Sequence, residues 1–494
     1  MPDSSRRLHT AAQVRELDRR AIAGGVSGYE LMQRAARACW RLMTGQGRRT
    51  DAIVVVCGPG NNGGDGYEIA RLAKADGHAV HVLSVGGMPR GGDARRACDA
   101  WRDDGGAVEP YAGSLPHGEW IVDAMFGTGL TRALSDEALD AVRAIRLARK
   151  NGARVLAVDV PSGLDAGTGA LPSGEAVHAD LTVSFIGRKP GLYTGHGPAI
   201  CGARHFDDLA IAASDDDVPP VAQLQAEADL RTWLAPRSRT AHKGDHGHVL
   251  IVGGNRGMMG AALIAARAAL RSGAGLVSVA TRGEHVAAMT AAQPELMCRD
   301  CDDVAQLRPL LRQVDAIAVG PGLGTDAWAR TLLSAVLDSG KPLVIDADAL
   351  NLLASEPVSP ADAILTPHPG EAARLLGCGT AAIQADRLAA LHAIEQGFGA
   401  TVVLKGAGTL VSGQPCPVIC PYGNPGMAVG GMGDALTGIV VALRGQGLDA
   451  QHAAQAGVLI HALAADRAAS GGERGLLPSD VIAGLRAIVN PQRP

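Results

Sequence analysis

A glycine-rich stretch ahead of a helix-like run is the part of this sequence best suited to chemistry on a phosphate. Residues 423–434, with Gly431 and Gly433 at their centre, contain six glycines and prolines, and the helix-like run follows at residues 435–443. Glycines before a helix allow several backbone N–H groups to point at one anion, and the helix dipole adds partial positive charge. Asp434 stands there, where a carboxylate either caps the helix or acts as a base toward a hydroxyl group. Taken alone, the stretch fits both roles.

Four other segments of the C-terminal half place glycines or reactive side chains directly after predicted strands. They are residues 317–324, 344–351, 366–371 and 402–409. The first is a second glycine turn, and the second offers Asp346 and Asp348 to a metal or a water network. The third puts His368 on a proline-rigid turn, and the fourth offers Lys405 to phosphate oxygens. Ligands in open α/β sheets bind beyond the carboxyl ends of strands, so the segments together favour one ligand site over four unrelated turns.

The N-terminal half has its own glycine turn, at residues 58–66, between a strand-like run and a helix. The turn departs from the G-x-G-x-x-G dinucleotide fingerprint and contains two asparagines and an aspartate, which suits oxygen ligation of a cation. Parallel strands would bring Asn62, Asp123 and Ser162 to one sheet edge, as an all-oxygen site for a hard cation rather than zinc. Asp159 is then left for proton transfer. Helix capping explains each of these residues singly, and the four together less well.

Alternating strands and helices must position these residues. In the first half the sequence predicts strands at residues 52–57, 79–85, 120–124, 154–158 and 181–185, and helices at 11–23, 29–43, 67–75 and 137–150. In the second half it predicts strands at residues 249–252, 276–280, 316–319, 343–346, 363–365 and 401–404. Apolar strands alternating with helices indicate parallel sheets covered by helices. Residues 214–220 are acidic and proline-containing and are predicted to be a linker, so we expect domains at 1–220 and 221–494.

Composition favours a globular, cytoplasmic enzyme. Of the 494 residues, 47% are hydrophobic and 19% charged, and the net charge is −4, so no overall field attracts nucleic acid or an anionic membrane. No apolar run approaches the roughly 18–20 residues of a membrane span, and the polar N-terminus lacks the core of a signal peptide. Nine cysteines, an odd number, indicate reduced thiols.

The C-terminal segments, taken in order, resemble the ribokinase-like NAD(P)H-hydrate dehydratases across residues 228–494. The resemblance is carried by residues 242–247, 253–255, 320–324, 346–350, 366–371, 405–406 and 431–434. Members of that family consume ADP (bacterial-type) or ATP (eukaryotic-type) to remove water from the damaged cofactors NADHX and NADPHX, and Mg²⁺ is expected at the phosphates. The resemblance implies a nucleotide site at Lys405, Gly406, Ala407, Gly408, Thr409 and Gly433. It also implies that Asp434 acts on the hydroxyl of the hydrate, and that Ala261, Gly322 and His368 contact the hydrate.

The N-terminal half is similar to the NAD(P)H-hydrate epimerases over about residues 8–212. Residues 61–66, 123–129 and 159–163 carry this similarity. It implies K⁺ at Asn62, Asp123 and Ser162, and interconversion of the R and S hydrates by proton-assisted opening and closing at C6. The substrate contacts it implies are Asn61, Asn62, Gly63, Gly64, Asp65, Asp159 and the loop Gly127, Thr128, Gly129, Leu130, Thr131, Arg132 and Ala133. Residues 131–134 of that loop differ from common members.

Both halves in this order resemble a bifunctional family in which the epimerase supplies the one epimer that the dehydratase accepts. The resemblance implies an α/β chain with a Rossmann-like three-layer domain followed by a ribokinase-like domain. It implies small-molecule substrates and ADP, no nucleic acid or membrane partner, and a homo-oligomer. One alternative is a ribokinase-like kinase of vitamin alcohols, because such kinases use the same G-x-G-D turn. Another is that the first domain is only a binding module.

Overall fold

Parallel strands flanked by helices form both halves of the chain, as the alternating sequence pattern predicts. The structure is a computed structural model that describes residues 6–45, 52–129, 133–211 and 218–491. It divides into two units, residues 1–223 and 224–494. Residues 214–217 of the predicted linker lie outside the described residues.

The first unit is built on a seven-stranded sheet. The strands of this sheet are β2 (Ala52–Cys57), β3 (Ala79–Ser84), β4 (Glu109–Pro110), β5 (Trp120–Ala124), β6 (Arg154–Val158), β7 (Leu181–Phe185) and β8 (Ala203–Asp207), and two short strands outside it are β1 (Arg7–Leu8) and β9 (Ala222–Leu224). The helices of the unit are α1 (Ala11–Ala23), α2 (Gly28–Thr44), α3 (Asn61–Ala75), α4 (Gly92–Asp103), α5 (Asp136–Lys150) and α6 (Gly197–Ile200). The sheet order is β4-β3-β2-β5-β6-β7-β8, and every pairing in it is parallel. Outside it, β1 pairs antiparallel with residues 222–223.

Apolar side chains on the two faces of this sheet build two separate cores. Val55 and Val122 pack in the cluster that contains buried residues of α2, α3 and α4. Val54 and Ile121, which point to the opposite face, pack in the cluster formed with α5. Alternation along strands that are buried on both faces therefore gives the predicted three-layer, Rossmann-like arrangement.

The second unit has a larger mixed sheet. Its strands are β10 (His248–Val252), β11 (Leu276–Thr281), β12 (Met297–Asp300), β13 (Ala316–Val319), β14 (Leu343–Ile345), β15 (Ala363–Leu365), β16 (Thr401–Leu404), β17 (Thr409–Val411) and β18 (Val418–Cys420). Its helices are α7 (Leu230–Trp233), α8 (Met259–Arg271), α9 (Gly283–Ala292), α10 (Val304–Gln313), α11 (Ala327–Leu337), α12 (Ala347–Ser355), α13 (Pro369–Leu375), α14 (Thr380–Ala385), α15 (Arg387–Phe398), α16 (Met432–Gly445), α17 (Ala450–Ala468) and α18 (Pro478–Ile488). Within this unit the strand order is β18-β17-β16-β15-β14-β13-β10-β11-β12. Strands β16 to β12 in this order are parallel, and β17 and β18 add an antiparallel edge.

Each sheet has a point where the strand order reverses. In the first unit β2 lies between β3 and β5, and in the second β10 lies between β11 and β13. At such a point the loops that leave neighbouring strands turn in opposite directions and open a crevice at the carboxyl ends of the strands. The glycine turns after β2 and β10 therefore open onto the expected ligand crevices.

Two helices begin earlier than the sequence predicts. The helix predicted to start at Tyr67 begins at Asn61, and the one predicted to start at Ala435 begins at Met432. Asn61, Asn62, Gly63, Gly64 and Gly66 of the first turn and Gly433 of the second are therefore helical residues, whereas Gly431 immediately precedes α16. At Gly63, a Cβ would stand only 1.9 Å from the carbonyl oxygen of Gly58, so this helix start packs too closely on the preceding strand end to admit any side chain.

No helix in the part of the chain that the structure describes combines the length and the apolar character needed to cross a membrane.

Candidate functional site

A buried ion pair lies at the centre of the second unit's candidate site. Lys405, directly after β16, donates from Nζ to Oδ1 of Asp346 at 2.7 Å, and Asp346 is only 1% exposed. Thr437 of α16 donates to the other carboxylate oxygen at 2.7 Å. Burial would raise the pKa of Asp346, but the Lys405 charge and these hydrogen bonds outweigh it, so the pKa lies below its ordinary value. Asp346 is thus committed to Lys405 and Thr437 rather than free for a metal.

The glycine turn lies directly against this ion pair. Gly431 has a φ of +92° and occupies the position before the first residue of α16, without a side-chain cap. Asp434 is therefore in the first helical turn and does not act as the N-cap, which rules out the capping role. A Cβ at Gly433 would lie 3.2 Å from the Lys405 ammonium and 3.7 Å from the Asp346 carboxylate. The open helix start, the ammonium and a carboxylate thus meet at one place.

Asp434 has the electrostatic surroundings of a base that works near neutral pH. Its pKa is raised to about 6: burial is the largest cause, the charge of Asp346 acts in the same direction, and Lys405 opposes both. Glu371 is 5% exposed, and burial raises its pKa as well. Lys405 also lies 3.8 Å from Glu371, so one ammonium offsets the charges of several carboxylates. A carboxylate poised near pH 6 is ionised at neutral pH and still basic enough to accept a proton.

His368 is fixed by the helix that follows it. Its Nδ1 accepts hydrogen bonds from the backbone N–H groups of Gly370 at 2.9 Å and Glu371 at 3.3 Å, as the N-cap of α13. Because Nδ1 accepts, the hydrogen of the neutral ring is on Nε2. The side chain is about half exposed (51%), and its Nε2 lies 3.4 Å from Oε1 of Glu371.

Two of the residues predicted to contact the hydrate, Gly322 and Ala261, meet at the crevice beside β10 and β13. The N–H of Asn255, in the loop after β10, donates to the Gly322 carbonyl at 2.7 Å. Gly322 has a φ of +59°, and a Cβ there would stand 2.6 Å from the carbonyl oxygen of Met258 and 3.2 Å from the Ala261 side chain. Gly322 and Ala261 therefore lie side by side.

The predicted nucleotide loop, Lys405, Gly406, Ala407, Gly408 and Thr409, turns tightly from β16 into β17. The hydroxyl of Thr409 donates to the Gly406 carbonyl at 2.9 Å, and φ at Gly406 is +142°. Beneath the loop lies Arg387, which is 1% exposed and donates to the carbonyls of Leu404 at 3.1 Å and Lys405 at 3.2 Å. Burial lowers the pKa of Arg387 to about 10. Its guanidinium supports the end of β16 from below.

In the first unit, an aspartate and a serine from neighbouring strands form one hydrogen-bonded group. Asp123, at the end of β5, accepts from the Ser162 N–H at 2.8 Å and from the Ser162 hydroxyl at 2.7 Å. Both residues are fully buried. Burial raises the pKa of Asp123 to about 6 against the lowering effect of the Ser162 hydrogen bonds. The Phe126 carbonyl oxygen lies 3.4 Å from the same hydroxyl.

Asn62 and Asp159 face the same glycine. A Cβ at Gly127 would stand 3.0 Å from Oδ2 of Asp159 and 3.1 Å from Oδ1 of Asn62. The N–H of Thr128 points at Oδ2 of Asp159 from 3.3 Å. The amide nitrogen of Asn62 is buried and has no hydrogen-bond partner among the described residues. The turn after β2 and the loop after β5 thus share one small polar space.

Other residues predicted to bind substrate surround this space. Gly63 and Gly64 are buried in α3, Asn61 is exposed at its first position, and Gly129 and Ala133 are exposed in the loop. Desolvation raises the pKa of Asp65 well above its ordinary value, and the charge of Asp159 raises it further. The predicted contacts Leu130, Thr131 and Arg132 lie outside the described residues.

Comparisons with known proteins match each half of the chain to a family. Residues 249–486 match the family model described as NAD(P)H-hydrate dehydratase, and residues 28–191 match the model described as YjeF-related protein N-terminus. The bifunctional NAD(P)H-hydrate repair enzyme Nnr of Coxiella burnetii is 45% identical, over 98% of this chain and 99% of its own. That of Escherichia coli K12 is 44% identical over 95% of this chain and 91% of its own.

The chain belongs to the bifunctional NAD(P)H-hydrate repair enzymes. A bifunctional NAD(P)H-hydrate repair enzyme has an epimerase and a dehydratase domain, and both are present here. Membership favours this function over a vitamin kinase fused to a binding module. A solved ribokinase-like superfamily protein from Enterococcus faecalis is 30% identical with a TM-score of 0.51, over 54% of this chain and 95% of that one. The prediction of a ribokinase-like second domain is confirmed.

Sequence reasoning missed three side chains that this NAD(P)H-hydrate repair enzyme places at its candidate sites. Thr437 and Arg387 bind the ion pair and the nucleotide loop, and Lys189 donates to Oδ1 of Asp159 at 2.5 Å. Lys189 follows β7 by four residues, so its place beyond a strand end was a usable signal. Thr437 and Arg387 are helix residues with no such signal.

Proposed function

We propose that the first unit interconverts the R and S hydrates of NADH and NADPH, and that the second removes water from the S hydrate at the expense of ADP. The observation that carries the proposal is the junction of Asp434, Gly433 and Lys405 in one place, beside the opening of α16. A phosphate site with a neighbouring base suits phosphorylation of a hydroxyl group.

In the dehydratase, Asp434 takes the proton of the C6 hydroxyl as the hydroxyl oxygen attacks the terminal phosphorus of ADP, and the bond from that phosphorus to the bridging oxygen breaks so that AMP leaves. Hydroxide leaves poorly, whereas phosphate leaves well, so the ring nitrogen lone pair then expels phosphate from C6. Loss of a proton from the adjacent carbon restores the double bond of the nicotinamide ring. Gly433 and residues 405–409 hold the nucleotide, and the Lys405 ammonium lies where phosphate charge develops.

Ala261, Gly322 and His368 are proposed to hold the hydrate. The close contact between Gly322 and Ala261 supports a flat surface for the ring, and Nε2–H of His368 is a half-exposed donor that a polar group of the hydrate would share with Glu371. Mg²⁺, when bound, neutralises phosphate charge. The half-buried carboxylate of Asp348 and the phosphates themselves are the oxygen ligands that Mg²⁺ prefers, so the site fits that ion.

In the epimerase, Asp159 is proposed to shuttle one proton. Its carboxylate takes the proton of the C6 hydroxyl, whose oxygen electrons form a carbonyl while the C6–N1 bond breaks and its electron pair goes to N1. Asp159 then gives the proton to N1. Closure on the opposite face of the carbonyl reverses these steps and yields the other epimer. Asn61, Asn62, Gly63, Gly64, Asp65 and the loop at residues 127–133 would bind the substrate.

K⁺ is proposed at Asn62, Asp123 and Ser162, where it would supply positive charge beside the substrate. The donor set fits because the Asp123 carboxylate, the Ser162 hydroxyl and the Phe126 carbonyl meet within hydrogen-bonding distance. The buried, unpartnered amide nitrogen of Asn62 supports it too, since turning that amide over offers an oxygen instead.

We further propose that the enzyme is a cytoplasmic homo-oligomer whose partners are NADHX, NADPHX and ADP, without nucleic acid or membrane. The net charge of −4 supports the absence of a nucleic-acid partner.

A repair assay on separated epimers tests the proposal. Each purified hydrate is incubated with the enzyme and ADP or ATP, and recovery of the reduced cofactor is followed by its absorbance at about 340 nm. We expect immediate recovery from the S hydrate, delayed recovery from the R hydrate, and higher activity with ADP. No recovery, together with stable phosphorylation of a vitamin alcohol, would establish the kinase alternative. Repair of the R hydrate no faster than its spontaneous epimerisation would leave the first unit as a binding module.

Dehydration should lose its rate in acid with a midpoint near pH 6. Burial raises the pKa of Asp434 to about 6, and only the carboxylate accepts the hydroxyl proton, so kcat/KM should fall about tenfold per pH unit below that value. The measurement is kcat/KM for the S hydrate from about pH 5 to 8 at saturating nucleotide. Nucleotide affinity is also measured at each pH, which separates the effect of titrating the nucleotide phosphates from the effect of titrating Asp434. A profile that stays level down to pH 5 would contradict the role of Asp434.

Replacing Gly127 by alanine should slow epimerisation roughly 10²-fold and leave dehydration of the S hydrate unchanged. The added methyl would press on Oδ2 of Asp159 and Oδ1 of Asn62, and displacements of about 1 Å in an active site have effects of this size. Loss of the R hydrate is followed by chromatography without nucleotide. Gly91→Ala is the control because a Cβ there meets nothing within 4 Å. If Gly127→Ala epimerises the R hydrate at the wild-type rate, this loop is not part of the epimerase site.

A further inference from the structure

A buried lysine is attached to the proposed epimerase base. Lys189 is 1% exposed, and its ammonium has three acceptors: Oδ1 of Asp159 at 2.5 Å, the Phe185 carbonyl at 2.9 Å and the Ser184 hydroxyl at 3.1 Å. An ammonium has three N–H donors, so all are satisfied. Burying such a group is energetically costly unless it is paired, so the pairing with Asp159 is a strong constraint on both residues.

The two oxygens of Asp159 have different surroundings as a result. Oδ1 is held by Lys189, while Oδ2 points toward the loop after β5, 3.3 Å from the Thr128 N–H. A Cβ at Gly127 would stand 3.0 Å from Oδ2. Asp159 itself has a φ of +66°, a conformation that costs energy for a residue with a side chain and persists only where the surroundings impose it. The contact with Lys189 and the backbone conformation of Asp159 together direct Oδ2 toward the loop after β5.

Other carboxyl groups interact electrostatically with the pair of Lys189 and Asp159. Asp18 of α1 and Asp65 of α3 both interact with Asp159 and with Lys189, and Glu68 acts on Asp65. Desolvation raises the pKa of Asp18 and of Asp65, and the charge of Asp159 raises both further. Asp159 differs from these two neighbours in its direct contact with the Lys189 ammonium.

We propose that Lys189 is a positioning residue of the epimerase: it holds Asp159 by Oδ1 so that Oδ2 meets the C6 hydroxyl of the hydrate. The proposal rests on the proposed function of Asp159. Lys189 does not touch the substrate and exchanges no proton with it. Its removal therefore impairs the proton transfer made by Asp159 rather than the binding of the hydrate.

The test compares Lys189→Met with wild type in the full-length chain, with epimerisation of the R hydrate measured without nucleotide. We expect kcat to fall about 10²-fold, within the range of acid–base contributions, and KM to change less than threefold. Lys74→Met is the matched control, since Lys74 is a lysine of α3 whose ammonium contacts the Asp104 carbonyl, and it should behave as wild type. Unchanged kcat in Lys189→Met, or a loss confined to KM, would overturn the proposal.

Two further measurements test the proposal, and the first of them does not depend on the folding of Lys189→Met. In Lys189→Ala, added propylammonium should restore epimerisation at least tenfold, whereas tetramethylammonium, which has no N–H donor, should not. Equal failure of both amines in a protein with the wild-type melting temperature would count against the proposal. Lys189→Met should also add no further loss to Asp159→Asn, because residues acting as a unit are not additive.

Asp159→Asn separates failure of this proposal from failure of the proposed function. If Asp159→Asn epimerises at the wild-type rate, the base is misassigned and both ideas fail. If Asp159→Asn is inactive and Lys189→Met is fully active, only the positioning role is lost.

Discussion

Dehydration of the S hydrate should fall by about 10²–10⁴-fold when Asp434 is replaced by asparagine. Asparagine has nearly the same shape and keeps the first turn of α16, but it cannot accept the proton of the C6 hydroxyl. Because the pKa of Asp434 is raised to about 6, mainly by burial, its charge is unfavourable in the folded protein at neutral pH, and asparagine removes that charge. Stability should therefore be unaffected or slightly higher, and the loss should appear in kcat.

The measurement is nucleotide-dependent recovery of absorbance from the S hydrate at saturating nucleotide, with nucleotide affinity measured by calorimetry. Affinity should stay within threefold of wild type because Gly433 and Lys405 remain. Asp338→Asn, a change at an exposed helix end, is the control for the chemical substitution. If Asp434→Asn keeps more than a tenth of the wild-type rate, another group is the base, and Asp348 and Glu371, whose charges also act on Asp434, become the candidates.

Replacing Lys405 by methionine should lower the free energy of unfolding of the second unit by about 3–5 kcal/mol, because it leaves buried carboxylates without their cation. Asp346 is 1% exposed and Glu371 is 5% exposed, and both depend on the same ammonium. Urea denaturation of the full chain measures the effect, and the transition that nucleotide shifts identifies the second unit. Lys341→Met is the control lysine.

The loss from Lys405→Met should shrink as the pH falls. In the wild type the pKa of Asp346 lies below its unfolded value, so its contribution is present at pH above the unfolded pKa and disappears in acid. Without Lys405, burial raises the pKa of that carboxyl, and protonation then relieves the variant. Combining Asp346→Asn with Lys405→Met should likewise recover part of the free energy of unfolding that Lys405→Met loses. An equal loss at pH 5 and at neutral pH would show that packing, and not charge, is responsible.

Strand positions were the most predictable part of this chain. The strands Ala52–Cys57, Trp120–Ala124, Ala316–Val319 and Thr401–Leu404 match the predictions residue for residue. Fully buried parallel strands read as continuous apolar runs bounded by turn residues, so both ends carry a signal. The edge strand Met297–Asp300 has no such run and was not predicted.

Helix starts at the two sites were predicted too late. Glycine and asparagine are poor helix formers, so residues 61–66 and 432–434 suggest loops when propensity alone is considered. Close packing explains the difference. Gly63 lies against the Gly58 carbonyl, and Gly433 lies against the ammonium of Lys405, where larger residues would be excluded. The feature that lowers helix propensity is therefore what the site requires.

Site residues were predicted where they directly follow strands, and partners that come from elsewhere were not. Asp123, Ser162, Asp346 and Lys405 all lie at strand ends, whose position the topology alone determines. The pairing of Asp159 with Lys189 joins residues 30 positions apart, and the hydrogen bond from Thr437 comes from a helix 91 positions away from Asp346. Such pairings depend on tertiary packing, which no local pattern records.

The reactive side chains of each unit are distributed over separate strand ends, with a helix between most neighbouring pairs. A strand and the loop that follows it form one module, and recombination between relatives can therefore exchange one such module at a time while leaving every module whole. Crossovers within solvent-facing turns of helices such as α5 or α11 would keep each loop with its own strand, while crossovers inside the glycine turns would split a module. A library of chimeras built from relatives about as similar as those described should accordingly yield most of its active members from helix crossovers. The same arrangement would allow selection to change the residues around Gly322, where we propose that the hydrate binds, without changing those around Gly433, where we propose the phosphate chemistry.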